Sequence, residues 1–457
     1  MNNLLFTHTQ SQLIKLGILS GFIVLLAGCQ LAKKSDDEAR VVVIENNETV
    51  LAERVKYEDQ VIAIESDNLV SGKASTSFAG RDLFSPGFAA VVADPKIAEV
   101  TLTLVAQVSA PIFSGRTLEA TDIRVLGNKA YVTYNVAGDT FMGAVEVYDI
   151  TNAIAPVLIS SAIFSDTDIN GVAIHGNDLY LAGASSDDTL ESPGVLKVIS
   201  LSGGKLTDVV VTKDMPSFAA TDVETVGDYV YVTTGADDGY VVVLNRADLT
   251  ELDSYSAIDA RGVDSDGVDI AVVTGTNGVS GASAKLISFD KTLGATALAE
   301  YSLSGGTIKH SKSTIEIKKK KAVLALGDGG VQVVCLADGV VLKHIDLPIV
   351  PDLDTSLAVA NAVTAYKRAL FMANGEAGVY VAISDNNLDS NDCLVDTLDT
   401  VGRLQLDSVL IDGDQRGQSV NHILYRNDML FVAAGLGGVK IVHVEDLAAT
   451  PDGDDSL

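Results

Sequence analysis

An all-β chain folded as a seven-bladed β-propeller is what this sequence predicts, and three observations predict it. One unit recurs seven times between Asp122 and Gly438, at intervals of about 50 residues, the range of a propeller blade. Every copy holds several strand-like segments and no helical period. The last copy lacks its final strand, while a strand-like segment with no unit of its own stands upstream of the first.

The copies begin at Asp122, Gly171, Asp222, Arg261, Ser313, Asn361 and Asn421. Each opens on an alternating segment such as Ile123-Arg124-Val125-Leu126, which reads as a strand with two different faces. A turn follows, Gly127-Asn128, Gly176-Asn177 or Asp266-Gly267, whose residues tolerate the positive φ of a short hairpin. The second strand is rich in Tyr, Val and Ala. A Gly-ended loop leads to a third, as in GAVEVYDI from Gly143 or GVYVAISD from Gly378. A weaker fourth strand precedes the next copy, as in KLTDVVVTK from Lys205. The open β-solenoid is the alternative, but its coils run shorter than about 30 residues. EVTLTLVAQVS, from Glu99, is placed to complete the seventh sheet and close the ring, which leaves few unpaired edges.

The repeat resembles that of the LVIVD-repeat family of bacterial and archaeal surface proteins. The matching residues are Asp122 to Val132, Asp222 to Gly235, and the third strands ending at Asp149 and Asp385. The resemblance spans roughly residues 120–445 and implies a surface location with no particular reaction. Copy five departs from it, with Lys318 to Lys321 in place of the Gly-Asn turn, and copy four is short.

Residues 1–29 read as a processing segment. The apolar run Leu16 to Leu26 is too short for a comfortable membrane span. Leu26-Ala27-Gly28-Cys29 resembles the bacterial lipobox, which implies cleavage before Cys29 and lipidation of its thiol. An uncleaved anchor with an incidental Cys is the alternative. Gln30 follows where an Asp would signal retention at the inner membrane, which resembles an outer-membrane address. Residues 30–40 read as a polar tether, 41–98 as an extension packed on the propeller, 99–448 as the propeller, and 449–457 as an acidic tail.

Net charge is −29, with a pI near 4.4. That excess argues against nucleic acid, whose phosphates need clustered Lys and Arg. It suits solubility in a salty medium, or attraction of cations and basic partners. Trp is absent, which argues against propeller families built on tryptophan docking or tryptophan–aspartate repeats. Cys335, in the third strand of blade five, and Cys393, in the Asp-rich insert of blade six, fall in adjacent blades. An oxidising compartment permits a bridge between them; a buried thiol plus an exposed one is the alternative.

The strand starts supply the candidate binding ring at the channel mouth: Asp122, Asp222, Arg261, Asn361 and Asn421, with His422 beside the last. The loops between second and third strands open on the same face and carry Asp139, Asp187, Asp188, Glu191, Asp237, Asp238, Asp328 and Glu376. Against a ligand role stands simple hydration of the channel or capping of strands. Asp385, Asp389 and Asp392 are the candidate Ca2+ ligands, because the blade does not need their insertion; a solvated loop is the competing reading. The Asp264–Asp269 run is explained by its hairpin turn, and the Lys318–Lys321 run by a solvated one. No His pair has metal-ligand spacing and no nucleophile elbow appears.

These readings converge on an outer-membrane lipoprotein, on the periplasmic or cell-surface side, acting as a non-catalytic binding or scaffold module for a protein or glycan. The alternative is a metal-dependent hydrolase of lactonase or glycosidase type, with channel-mouth carboxylates as its working groups.

Overall fold

The computed structural model describes residues 42–62 and 101–445, except 153, 236–237, 292–293, 310, 405, 407–408, 412–413 and 417. The signal segment with Cys29, the tether, most of the extension and the acidic tail lie outside them. Seven four-stranded antiparallel sheets follow one another along the chain as the blades of a propeller. Their inner strands are Glu119–Leu126, Thr167–His175, Ala220–Val226, Ala260–Ser265, Thr314–Lys318, Ala362–Tyr366 and His422–Arg426.

Sequence pattern explains the layering. Second strands such as Lys129–Asn135 and Ile270–Thr274 are covered by the neighbouring blade on each face, so they read as continuous apolar or β-branched runs. Inner strands have one face on a neighbouring blade and one on the axis, hence their alternation. Between blades six and seven, Phe371, Val381, Leu404, Ile423, Val432 and Val442 form one buried cluster, and similar clusters separate the other pairs. The glycines that open third strands are forced by crowding: a Cβ at Gly143 would lie 2.6 Å from the Tyr134 carbonyl oxygen, and one at Gly239 2.5 Å from that of Ala257. The hairpin glycines Gly127, Gly176 and Gly227 sit at φ near +60°, and in copy five Lys319 adopts φ 57° instead.

Closure follows the expected scheme and then exceeds it. β1 (Val42–Glu45), α1 (Glu48–Ala52) and β2 (Val55–Ile62) precede β3 (Thr101–Val108). β3 pairs with Val439–Glu445 and is the fourth strand of blade seven. β2 adds a fifth strand outside β3, and β1 adds a fifth to the outer strand of blade one, Val157–Phe164. The extension therefore bridges the first and last blades. Its Arg54 binds Glu146, whose side chain is fully buried and also accepts from the hydroxyls of Tyr134 and Tyr148, each at 2.7 Å.

Cys335 and Cys393 form a disulfide, with Cα atoms 5.4 Å apart. It clips the insert between Val379–Ser384 and Leu398–Leu404 to blade five. The lysine run of copy five differs from the solvated turn expected. Lys319 and Lys320 are exposed, but Lys321 is fully buried, and its ammonium donates to the carbonyls of Ser390 (3.1 Å) and Asp392 (2.5 Å). The insert, absent from other blades, is what buries it.

Candidate functional site: the propeller axis

The inner strand of each blade is a sheet edge, so its axis-facing N–H groups have no strand to pair with. Side chains of the preceding blade take that role. Asp122 Oδ2 accepts from Val172 N at 3.0 Å, and Asp222 Oδ2 from Val263 N at 3.0 Å. Asp264 accepts from Ile317 N, and Glu316 from Ala365 N, both at 2.6 Å. Thr364 Oγ1 accepts from Tyr425 N at 3.2 Å. The two remaining junctions are bridged by Asn170, donating to the Ala220 carbonyl at 3.0 Å, and Asn421, donating to that of Ala120 at 2.9 Å. All seven junctions are thereby stitched.

A second device lies one residue earlier. In blades one to four the inner strand carries a β-bulge, at Thr121, Asn170, Thr221 and Arg261. A bulge re-aims its side chain. Thr121 donates to the Ile169 carbonyl at 3.0 Å and Thr221 to that of Ala260 at 2.8 Å, each in the next blade. Arg261 belongs to this set. The structural equivalent of Asp122 in copy four is Gly262, one residue beyond the alignment of strand starts. Arg261 is saturated: it forks onto Asp259 (2.7 and 3.1 Å) and donates to Ser311, Ser313 and the Ile308 carbonyl. Asn361 reaches the Val420 carbonyl at 2.9 Å.

Of the six ring residues, the structure brings Asp122, Asp222, Arg261 and His422 to one cavity of about 150 Å³ on the axis. Asn361 and Asn421 act as interblade stitches outside its lining. Arg124, Asp264, Lys312, Thr314 and Glu316 also line it. Sequence reasoning assigned Asp264 to the hairpin turn, whereas it lies in the inner strand Ala260–Ser265, and it passed over the others; the signal was there, since Arg124, Glu224, Asp264, Glu316 and Thr364 occupy the second axial position of the alternating inner strands.

Charge is unevenly resolved in this cavity and at Glu224, which stands beside its lining residue Arg124. Burial pushes Asp222 up to about 6, Asp264 up to about 7 and Glu224 up to about 8, with Arg124 opposing each rise. Asp122 is also buried, but His422, Lys312 and Arg124 together outweigh that and hold it below the usual carboxylate range. Burial pushes His422 down, so its imidazole is neutral near pH 7, with Nε2 donating to Asp122 at 2.9 Å. Lys312 is likewise pushed down by burial and lies 4.0 Å from Asp122.

The insert carboxylates do not converge. Asp385 faces Arg368 at 3.4 Å, Asp389 accepts from Lys367 N at 2.8 Å with Lys318 at 3.8 Å, and Asp392 accepts from Ser390 at 2.8 Å. Asp266 accepts from Val268 and Asp269 N, as a turn residue does. Among the described residues no group of three or more His, Cys, Asp or Glu side chains is placed to hold a metal ion, and no helix is long and apolar enough to cross a membrane.

No family model matches the chain, and no curated protein matches it. Among solved structures it is similar to the WD40 repeats of RRP9, at 12% identity with a TM-score of 0.52, covering 74% of this chain and 98% of that one. It is equally similar to U3-55K, at 12% identity and TM-score 0.52, covering 73% of this chain and 98% of that one. At such identity the likeness is one of fold: a propeller reached with no Trp in the chain.

Proposed function

We propose that this chain is an envelope or cell-surface lipoprotein, anchored through Cys29, whose propeller serves as a rigid non-catalytic scaffold presenting loops to a protein or glycan. The observation that carries the reading is the stitching of all seven interblade junctions by side chains of the inner strands. A ring so fixed is a stable base on which loops can vary, and function in such folds sits on the loops. The loops joining each outer strand to the next blade, and those joining second to third strands, leave from one end of the ring. On them Phe218, Ile258, Val279 and Ile349 are exposed, Ile349 at 85%. The Cys335–Cys393 bridge fits an oxidising compartment such as the bacterial envelope, and the repeat's resemblance to LVIVD surface proteins points the same way.

Cys29→Ser should move the protein from the membrane fraction to the soluble one and abolish incorporation of labelled fatty acid. Unchanged fractionation with no lipid on the wild-type protein would sink the anchor. For the loop face, a photocrosslinker at Ile349 should capture an envelope partner that one at Leu298, on an outer strand, does not. Equal capture at both positions would remove the loop face from the reading.

A further inference from the structure

We propose that the axial cavity binds a small zwitterion, a molecule carrying a carboxylate and an ammonium group, with the Arg124 guanidinium as anchor for the carboxylate. The argument starts from which lining groups are already engaged. Asp122 and Asp222 each use both oxygens, and Arg261 is saturated. Three groups are not. Arg124 makes no hydrogen bond among the described residues; its nearest ion-pair partner is Asp222 at 4.0 Å, and its Nε is buried without a partner. Thr314 Oγ1 is buried without a partner in a residue only 9% exposed; two residues before Glu316, it shares that side chain's axial face. His422 is 4% exposed, and its Nδ1, the free acceptor of a neutral imidazole, also lacks a partner.

An unpaired guanidinium fork matches a carboxylate in two parallel hydrogen bonds, which an ammonium cannot do. A plain anion, however, would meet four lining carboxylates, with Arg124 and Lys312 as the cations not already forked onto a partner. A ligand that also brings positive charge resolves that conflict. Its ammonium can donate to His422 Nδ1 and to the remaining lone pairs of the carboxylates. About 150 Å³ admits only a handful of non-hydrogen atoms, the size of the smallest α-amino acids. The side chains of Arg124 and Lys312 remain 22% and 27% exposed, so the cavity communicates with solvent.

This inference stands apart from the loop-face reading, and its failure would leave that reading intact. The test is calorimetry and thermal melting of the full-length protein with glycine, alanine, acetate and methylamine at pH 7. Glycine or alanine should bind saturably, and acetate and methylamine at least about tenfold more weakly. Arg124→Lys, which keeps charge but loses the fork, should weaken binding by about tenfold or more. Thr314→Val removes a hydroxyl with no partner, so its melting temperature should match or exceed that of the parent while binding weakens by about three- to tenfold. No saturable binding of glycine or alanine, acetate binding as tightly as either, or unchanged binding in well-folded Thr314→Val and Arg124→Lys proteins would each overturn the proposal.

Discussion

Arg54 and Arg124 both approach blade one, and their surroundings are opposite. Arg54 forks onto Glu146 and also donates to the Ser109 carbonyl, and Glu146 is closed off further by two tyrosine hydroxyls. Every strong group in that cluster has a partner, and burial together with Glu146 pushes Tyr134 and Tyr148 far above the ordinary phenol range. Arg124 stands among Asp122, Asp222, Glu224 and Asp264 without one hydrogen bond among the described residues. A buried charge left unpaired is costly, so clusters that serve stability are saturated. The first cluster locks the N-terminal extension to the ring; the second is organised around space.

The sharpest way to break this contrast is Glu146→Ala. It leaves the half-buried Arg54 guanidinium with the Ser109 carbonyl alone and the two buried hydroxyls with only each other at 3.1 Å, and should cost about 3 kcal/mol, read as a fall in denaturation midpoint with an unchanged slope. A loss below about 1 kcal/mol would show that the cluster is not the closed unit its geometry describes. The insert offers a second saturated site, where buried Lys321 holds the Ser390 and Asp392 carbonyls beside the disulfide. Cys393→Ser reopens a loop with a sequence separation of 58 and should cost about 4 kcal/mol if chain entropy dominates. Urea denaturation of the variant beside the parent measures it.

The axial cluster should reveal itself through pH. Asp222, Asp264 and Glu224 have folded-state values above their ordinary ones, so these three groups bind more protons in the folded protein than in the unfolded chain between about pH 4 and pH 8, against the opposite contribution of His422, which burial holds down. Their contribution to stability is complete below that window and is lost as pH rises through it. Asp122, held low, acts in the opposite sense and only at acid pH. Melting temperature should therefore fall by a few degrees from pH 5 to pH 8.5, and Asp264→Asn should flatten the fall. A profile that instead rises across this range would show that these carboxylates are ionised in the fold.

Much of the architecture was legible because it is written locally. Alternation at Ile123–Leu126, the turn glycines Gly127 and Gly176, and the orphan strand from Glu99 each report on a neighbour in sequence or on a missing one. The site was legible only as residue types. Asp122 and Asp222 stood out as polar groups at strand starts, but their partners, Val172 and Val263, lie in the next blade. Arg261 was one residue out of register because a β-bulge shifts the strand without changing its pattern. Lys321 looked solvated because the loop that buries it comes about seventy residues later.

Composition and period alone determined the number of blades, their strand order and the strand that shuts the ring, since each unit can satisfy its backbone and bury its faces only in that arrangement. Tertiary structure decided which axial side chains serve as stitches and which are left open. A strand-edge N–H takes whatever acceptor the adjoining blade presents, and only packing brings the two within hydrogen-bonding distance.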